Sequence, residues 1–183
     1  MRSKIRVILQ ARTGSKRLYG KVLLPINDEP LVVLCWKRLK KSGLNVTVAI
    51  PKNFEDDYLA SVLKKFKIKY YRGSLLNVLD RFRALTRNLN SNDIIIRVTA
   101  DNPLVDGFFL KKILSIYQKE NLNYFSSHDN VYSIPFGVNA EIFRVKHIRE
   151  IKKKDKYSLE HVTPEIRRKY LLKEYKIKIP YLE

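Results

Sequence analysis

Residues 5–21 read IRVILQARTGSKRLYGK, an apolar segment that runs directly into a basic loop with two glycines. The apolar part, residues 5–9, is rich in β-branched residues and short enough for a buried strand. Glycine lets the loop turn sharply and approach a ligand closely, and its backbone N–H groups could form an anion-binding nest. We therefore interpret it as a polyphosphate-binding loop, with a solvated surface loop as the alternative. The loop cations are Arg12, Lys16, Arg17 and Lys21.

Two familiar phosphate-binding loops do not match this segment. A P-loop has four residues between its glycines and a Ser or Thr after its lysine. Here five residues separate Gly14 from Gly20, and Val22 follows Lys21. The three-glycine pattern of dinucleotide-binding folds is also missing. The loop therefore belongs to another type.

Strand-like and helix-like patterns alternate after the loop. Short apolar runs predict strands, and apolar residues at i, i+3, i+4 and i+7 predict helices. Their order predicts a single α/β domain over residues 1–183, a three-layer αβα sandwich with a mostly parallel, Rossmann-like sheet. The predicted strands lie at 46–50, 68–71 and 94–98, and the predicted helices lie between Pro30 and Gly43 and at 59–66, 75–82 and 110–117.

The pattern changes after residue 124. Short strand-like pieces at 124–126 and 138–143 flank a turn-rich stretch that contains Pro135 and Gly137. They predict an added hairpin or a mixed edge of the sheet. Helices and a basic segment are expected to follow.

Asp101 is the candidate metal ligand. Ligands of open parallel sheets bind beyond the carboxyl ends of the strands, and Asp101 lies three residues past Val98, the last apolar position of a predicted strand. A carboxylate at this place could hold Mg²⁺ together with phosphate oxygens. The alternative is a helix cap, a role that Asp106 fits better because it directly precedes the next helix.

Composition limits the classes of partner. The chain has 37 basic and 18 acidic residues, a net charge of +19, which attracts phosphates, nucleic acid or anionic lipid. Zinc-finger spacings and RNA-binding strand motifs are missing, so we expect no nucleic-acid partner and keep a basic binding module only as an alternative. No apolar run reaches the roughly 18 residues of a membrane span. Cys35, the single cysteine, has no internal disulfide partner, which favours a reducing, cytoplasmic compartment.

Several motifs resemble those of the sugar cytidylyltransferases. Residues 10–26, QARTGSKRLYGKVLLPI, resemble that family's nucleotide loop, Gln-Ala-Arg-x-Gly-Ser-x-Arg-Leu-Pro-Gly-Lys, with Tyr19 in place of proline. The resemblance is to the branch named after spore-coat polysaccharide biosynthesis protein F, which is related to the synthetases that couple CMP to neuraminic and other ulosonic acids. Further matching segments are RGSLLNVLDRF (72–82), RVTADNPLVD (97–106, with Ala100 for glycine), PFGVNAEIF (135–143) and EHVTP (160–164).

This resemblance implies a sheet of the nucleotide-diphospho-sugar transferase type and a reaction. A sugar hydroxyl would attack the α-phosphorus of CTP, forming a CMP-sugar for surface polysaccharide or glycan synthesis and releasing pyrophosphate. Mg²⁺ is the implied cofactor, CTP and a small sugar are the implied partners, and a homodimer is left open. The resemblance assigns the nucleotide to Gln10, Ala11, Arg12, Gly14, Ser15, Lys21 and Arg81, catalysis to Arg12, Lys21 and Asp101, the metal to Asp101, and the sugar to Asn139, Glu141 and His161.

Two departures from the family pattern affect these expectations. Asn139 stands where the family usually has Asp, which could alter the sugar that is bound. Family members also continue into a strand and helix with a second metal carboxylate, so we expect a chain that is short at its C-terminus and that binds CTP with slow or absent transfer. A catalytically weak or inactive nucleotide-binding member is therefore the alternative to an active enzyme.

Overall fold

The computed structural model describes residues 3–15, 17–127, 137–152 and 155–170. Its strands are β1 (Ile5–Gln10), β2 (Pro25–Ile26), β3 (Glu29–Pro30), β4 (Val46–Pro51), β5 (Tyr70–Gly73), β6 (Ile94–Thr99), β7 (Tyr124–Ser126) and β8 (Ala140–Arg144). Six of them form one sheet in the order β5-β4-β1-β6-β8-β7, while β2 and β3 form a small antiparallel pair. The predicted α/β fold with a mostly parallel sheet is confirmed.

The strand that precedes the basic loop lies inside the sheet. β1 pairs in parallel with β4 on one side and with β6 on the other, and β4 pairs in parallel with β5. All six residues of β4 are buried, as expected for a parallel strand covered on both faces. The parallel register sets Gln10 beside Thr99, so the loops after β1 and β6 leave the sheet side by side.

Of the two predicted arrangements after residue 124, a hairpin or a mixed edge of the sheet, the structure has the mixed edge. β8 runs antiparallel between β6 and β7, and β7 closes that side of the sheet. The sheet is therefore parallel except for one inserted strand. Pro135, in the predicted turn, lies outside the described residues.

Helices connect the strands on both faces of the sheet. The buried side chains form two apolar groups, one against each face, so the three-layer sandwich is also confirmed. Val7 and Leu9 of β1 face one layer and Ile8 faces the other, the alternation expected of a strand. The helices are α1 (Leu31–Lys40), α2 (Asp57–Lys65), α3 (Val78–Leu85), α4 (Gly107–Lys119), α5 (Val145–Glu150), α6 (Lys156–His161) and α7 (Pro164–Tyr170).

Two predicted boundaries shift for local reasons. The helix expected at 75–82 begins at Val78, because the Asn77 side chain accepts a hydrogen bond from the N–H of Asp80 and caps it. The strand expected at 68–71 is displaced to Tyr70–Gly73, since Ile68 still closes α2 through its N–H bond to the Leu63 carbonyl, 2.9 Å away. Asp106 caps α4, as predicted, by accepting from the N–H of Phe109.

Gly107 allows α4 to approach α1 closely. A Cβ atom on Gly107 would lie 2.2 Å from Ser42 Oγ and 2.3 Å from the backbone oxygen of Leu39. These distances are far shorter than a van der Waals contact, and one of the partners is backbone.

We expect Gly107→Ala to lower the free energy of unfolding by about 1–3 kcal/mol, because the added methyl group overpacks the contact. Urea denaturation measures the change. Gly14→Ala is the control, since its Cβ would meet its nearest neighbour, Glu55 Oε2, at an ordinary 3.6 Å. Equal free energies of unfolding for the Gly107 variant and the parent would contradict this prediction, because they would show that α1 and α4 separate at no cost to admit the methyl group.

Candidate active site

Two adjoining cavities open at the carboxyl end of the parallel strands. One, the loop cavity, has a volume of about 500 Å³ and is lined by the loops after β1 and β6. The other, the β8 cavity, has a volume of about 480 Å³ and is lined by β6, β8 and the segment 157–168. Arg97, Thr99 and His161 line both, so the two cavities form one cleft with a shared wall.

The structure places most of the predicted nucleotide residues in the loop cavity. Gly20 adopts the left-handed conformation, with φ of 68°, and its N–H donates to the Thr13 carbonyl at 2.8 Å. This bond closes residues 13–20 into a compact loop. Lys16 lies outside the described residues. The predicted residues that line the cavity are Gln10, Ala11, Arg12, Gly14, Ser15, Lys21 and Asp101.

Two ion pairs bring loop cations and carboxylates together in the loop cavity. Lys21 Nζ lies 2.5 Å from Asp101 Oδ2, and Arg12 Nη2 lies 3.3 Å from Glu160 Oε1. Burial by itself would raise the pKa of Asp101, but hydrogen bonds from Lys21 and Thr99 and the charge of Lys21 outweigh it and lower that pKa. Asp101 is thus an anion at neutral pH, and a polyphosphate must compete with the two carboxylates for the cations.

The carboxylate of Asp101 suits a metal that is shared with a phosphate. In the part of the chain that the structure describes, no three His, Cys, Asp or Glu side chains gather as a complete metal site. Mg²⁺ is ordinarily held by one or two carboxylates together with water and substrate phosphates. The residues therefore fit Mg²⁺ only with a phosphate ligand beside Asp101.

A buried polar network forms the floor of the β8 cavity. Glu141 pairs with Arg97 across β6 and β8 and accepts hydrogen bonds from Tyr124 Oη at 2.5 Å and Thr163 Oγ1 at 2.6 Å. Arg97 also donates to the side-chain oxygen of Gln10 at 3.2 Å. Burial would raise the pKa of Glu141, but the charge of Arg97 and these bonds hold it below its ordinary value. The network joins the end of β1 to the β8 cavity.

The three predicted sugar residues all line the β8 cavity, but in different states. Asn139 is partly exposed and His161 is exposed beside the ring of Tyr157, with ring centroids 4.4 Å apart. Both oxygens of Glu141 are already hydrogen-bonded within the protein. In this structure Glu141 therefore positions Arg97 and Thr163.

Arg81 is the predicted site residue that lines neither cavity. It is buried to 1% exposure under β4, where its Nη1 donates to the Ala49 carbonyl at 3.4 Å. Burial lowers its pKa to about 10, against the raising influence of Asp56.

Sequence reasoning missed three charged residues of this region: Arg97, Glu160 and Asp56. Arg97 could have been found, because it is the one charged residue in the apolar run of β6. Glu160 belongs to the segment EHVTP (160–164), whose pattern alone predicts no role for it. No sequence pattern singles out Asp56.

Comparison with known proteins identifies the family. A family model described as "Cytidylyltransferase" matches residues 6–182. The chain belongs to the cytidylyltransferase family. This confirms the resemblance inferred from the motifs and the enzyme class that the resemblance implied.

The cytidylyltransferase has relatives in archaea and bacteria. Uncharacterized protein MJ1063 of Methanocaldococcus jannaschii is 37% identical over 89% of this chain and 67% of its own length. Spore coat polysaccharide biosynthesis protein SpsF of Bacillus subtilis is 31% identical over 87% of this chain and 68% of its own length. An 8-amino-3,8-dideoxy-manno-octulosonate cytidylyltransferase of Shewanella frigidimarina is 28% identical over 63% of this chain, a match that spans about half of that relative (48%).

Solved structures agree with the fold. A cytidylyltransferase from Leptospira borgpetersenii superposes with a TM-score of 0.81 at 27% identity, over 92% of this chain and 74% of that one. A CMP:2-keto-3-deoxy-manno-octonic acid synthetase complexed with CTP gives a TM-score of 0.67 at 16% identity, over 91% of this chain and 86% of that one. At 16% identity, the similarity to the CMP:2-keto-3-deoxy-manno-octonic acid synthetase shows only a shared fold. None of the helices described here is both long and apolar enough to cross a bilayer.

We expect Glu141→Gln to lower the free energy of unfolding at pH 7 by about 1.5–3 kcal/mol, the usual value for a hydrogen bond to a charged group. Because the folded-state pKa of Glu141 is lowered, its carboxylate contributes fully above the ordinary value of 4.5 and loses this contribution as the pH falls through the folded-state pKa. Urea unfolding at pH 7 and pH 4 measures the difference between variant and parent, which should shrink at pH 4.

The control for this experiment is Glu120→Gln, which changes an exposed carboxylate at the end of α4. We expect this variant to match the parent at both pH values. A Glu141 deficit that stayed constant with pH would contradict an ionised, network-bound carboxylate.

Proposed function

We propose that this cytidylyltransferase transfers CMP from CTP to a hydroxyl of an acidic, ulosonic-acid-like sugar and releases pyrophosphate, in the synthesis of a surface polysaccharide or glycan. The observation that supports this most is the divided cleft. A cation-rich loop cavity and a polar β8 cavity share the wall formed by Arg97, Thr99 and His161. Two substrates bound side by side would meet at that wall, as a bimolecular transfer requires.

Binding and charge stabilisation account for the proposed chemistry. The hydroxyl oxygen of the sugar forms a bond to the α-phosphorus and its proton passes to water. The bond from that phosphorus to the bridging oxygen breaks, and pyrophosphate leaves with the electron pair of that bond. Arg12 and Lys21 would exchange their carboxylate partners for phosphate oxygens and neutralise charge on the leaving group. Mg²⁺, held by Asp101 and phosphate oxygens, would supply further neutralisation.

An acidic sugar suits the charge of the β8 cavity. Arg167 and Arg168 of α7 line it, and Arg168 is exposed. Guanidinium groups bind carboxylates with two parallel hydrogen bonds, which gives both affinity and orientation. The named activity of the Shewanella relative, on an octulosonate, belongs to the same substrate class.

The cytoplasmic location expected from the sequence forms part of this proposal. Cys35 is buried, and burial together with the charge of Asp101 raises the pKa of its thiol to about 12. Such a thiol stays protonated and unreactive. The proposed location rests on the single cysteine of the sequence, which has no internal disulfide partner. The homodimer stays a prediction.

A two-step experiment tests the proposal. A thermal-shift screen compares the four nucleoside triphosphates, each with and without Mg²⁺, and we expect CTP with Mg²⁺ to raise the melting temperature most, because a ligand that binds only the folded state stabilises it. Pyrophosphate release with eight- and nine-carbon ulosonic acids, and with neutral sugars as controls, follows. CTP binding without turnover on any sugar would point to a nucleotide-binding member of the family, and equal shifts with all four nucleotides would contradict the assignment to CTP.

We expect Arg12→Ala and Lys21→Ala each to weaken CTP binding at least tenfold, because a charge-assisted hydrogen bond contributes about 1.5–3 kcal/mol. Titration calorimetry measures the affinity. Lys37→Ala is the matched control, since Lys37 is also half-exposed and ion-paired, with Glu29, but lines neither cavity. Unchanged affinity in both loop variants would remove the triphosphate from this loop.

We expect Asp101→Asn to abolish the Mg²⁺ dependence of CTP binding and to leave the fold intact, because asparagine keeps the size and lacks the charge that Mg²⁺ requires. Asp106→Asn is the control: Asp106 caps α4 nearby, and asparagine caps a helix as well as aspartate does. Calorimetric titration of CTP with and without Mg²⁺ compares them. If the Asp101 variant responds to Mg²⁺ as the parent does, Asp101 is not a ligand.

A further inference from the structure

Asp56 is a buried carboxylate directly behind the basic loop. It precedes α2, in the position of a helix cap, yet its side chain makes no capping hydrogen bond to that helix. Its side chain turns instead to Thr13, whose N–H lies 2.8 Å and whose hydroxyl lies 3.0 Å from Oδ1. Both residues are almost fully buried, with exposures of 1% and 2%. The carboxylate therefore serves the loop, and its own helix goes without a side-chain cap.

Thr13 is the point at which the loop is fastened. Its carbonyl accepts the N–H of Gly20 at 2.8 Å, the bond that closes residues 13–20. Its hydroxyl also lies 3.1 Å from the carbonyl oxygen of Glu55. The residues on either side of it, Arg12 and Gly14, line the loop cavity, whereas Thr13 does not. Contacts that hold the backbone of Thr13 in place therefore also orient Arg12 and Gly14 toward the loop cavity.

The charge of Asp56 is costly at this place. Oδ2 has no hydrogen-bond partner among the described residues, and burying a carboxylate without full compensation is unfavourable. The buried guanidinium of Arg81 lies within electrostatic range of Asp56, and its Nε and Nη2 also lack partners in the described part of the chain. Arg81 therefore acts on Asp56 through its charge, without a hydrogen bond between the two in the described part of the chain.

We infer that Asp56 is a positioning residue for nucleotide binding, which holds Thr13 so that Arg12 and the backbone at Gly14 face the phosphates before the nucleotide arrives. The inference rests on the proposed function for its ligand. A loop that is already ordered loses less conformational freedom on binding, and this raises its affinity. Arg81, which lines neither cavity, would then act on the loop only through the influence of its charge on Asp56.

The test compares Asp56→Asn with Asp93→Asn. Asp93 is a matched control, because it is 3% exposed and accepts the backbone N–H groups of Lys4 and Asn90, both at 2.8 Å, at the opposite end of the sheet. Both substitutions replace a charged acceptor by a neutral one in a buried site. Titration calorimetry with CTP and Mg²⁺ gives the affinity. The rates of backbone amide hydrogen exchange in the nucleotide-free full chain show how well ordered residues 11–15 are.

We expect Asp56→Asn to weaken CTP binding about tenfold and to speed amide exchange at Thr13 at least tenfold, the scale of one charge-assisted hydrogen bond. Asp93→Asn should leave both within about twofold of the parent. Equal effects of the two variants on CTP affinity, or unchanged exchange at Thr13, would overturn the inference.

Two further outcomes are decided by the same design. If Asp56→Asn fails to fold, Thr13→Val decides, since it removes the hydroxyl with its contacts to Asp56 and Glu55 and keeps the backbone N–H. Faster exchange at residue 13 with weaker CTP binding supports the inference, and parent-like behaviour overturns it. If the parent itself binds no CTP, the proposed function fails. Exchange at Thr13 then tests separately whether Asp56 orders the loop.

Discussion

The parallel pairing of β1 with β6 is the constraint on which the site depends. Because Gln10 lies beside Thr99 in the register, the basic loop and the Asp101 turn begin from adjacent points of the sheet. Neither segment is long, so their side chains must meet, and Lys21 reaches Asp101 at 2.5 Å. A shift of the register by one residue would turn every side chain of a strand to the opposite face. The register of β1 against β6 therefore places the two loops of the site as well as the core residues.

β8 adds a buried ion pair to the same sheet. As the only antiparallel strand in the described six-stranded sheet, it sets Glu141 opposite Arg97 in the middle of a mostly apolar sheet. An ion pair there costs desolvation, which the bonds from Tyr124 and Thr163 partly offset. The result is a rigid floor from the end of β1 to the segment before α7. The ion pair and its hydrogen bonds thus connect β6, β7, β8 and the segment before α7.

Local patterns predicted the parts of the fold that depend on periodicity. The buried strands, the helical stripes and the cap at Asp106 follow from spacing and residue type, and the loop cavity follows from the rule about strand ends. The insertion of β8 between β6 and β7 could not be read from the chain, because strand order is decided by long-range pairing. For the same reason, the sequence could not show that both oxygens of Glu141 are hydrogen-bonded within the protein, that Arg81 is buried against β4, or that Glu160 reaches Arg12. Each of these depends on a partner more than 20 residues away.

The two ion pairs of the loop cavity have a consequence for selectivity among anions. Arg12 and Lys21 are each paired with a protein carboxylate, which lowers the positive charge that these two side chains present to an anion. A small monovalent anion gains little by displacing one such carboxylate, since one ion pair is exchanged for another. A ligand with several linked negative charges can engage both cations in a single binding event. Such a site would discriminate against chloride and similar small anions and in favour of polyanions.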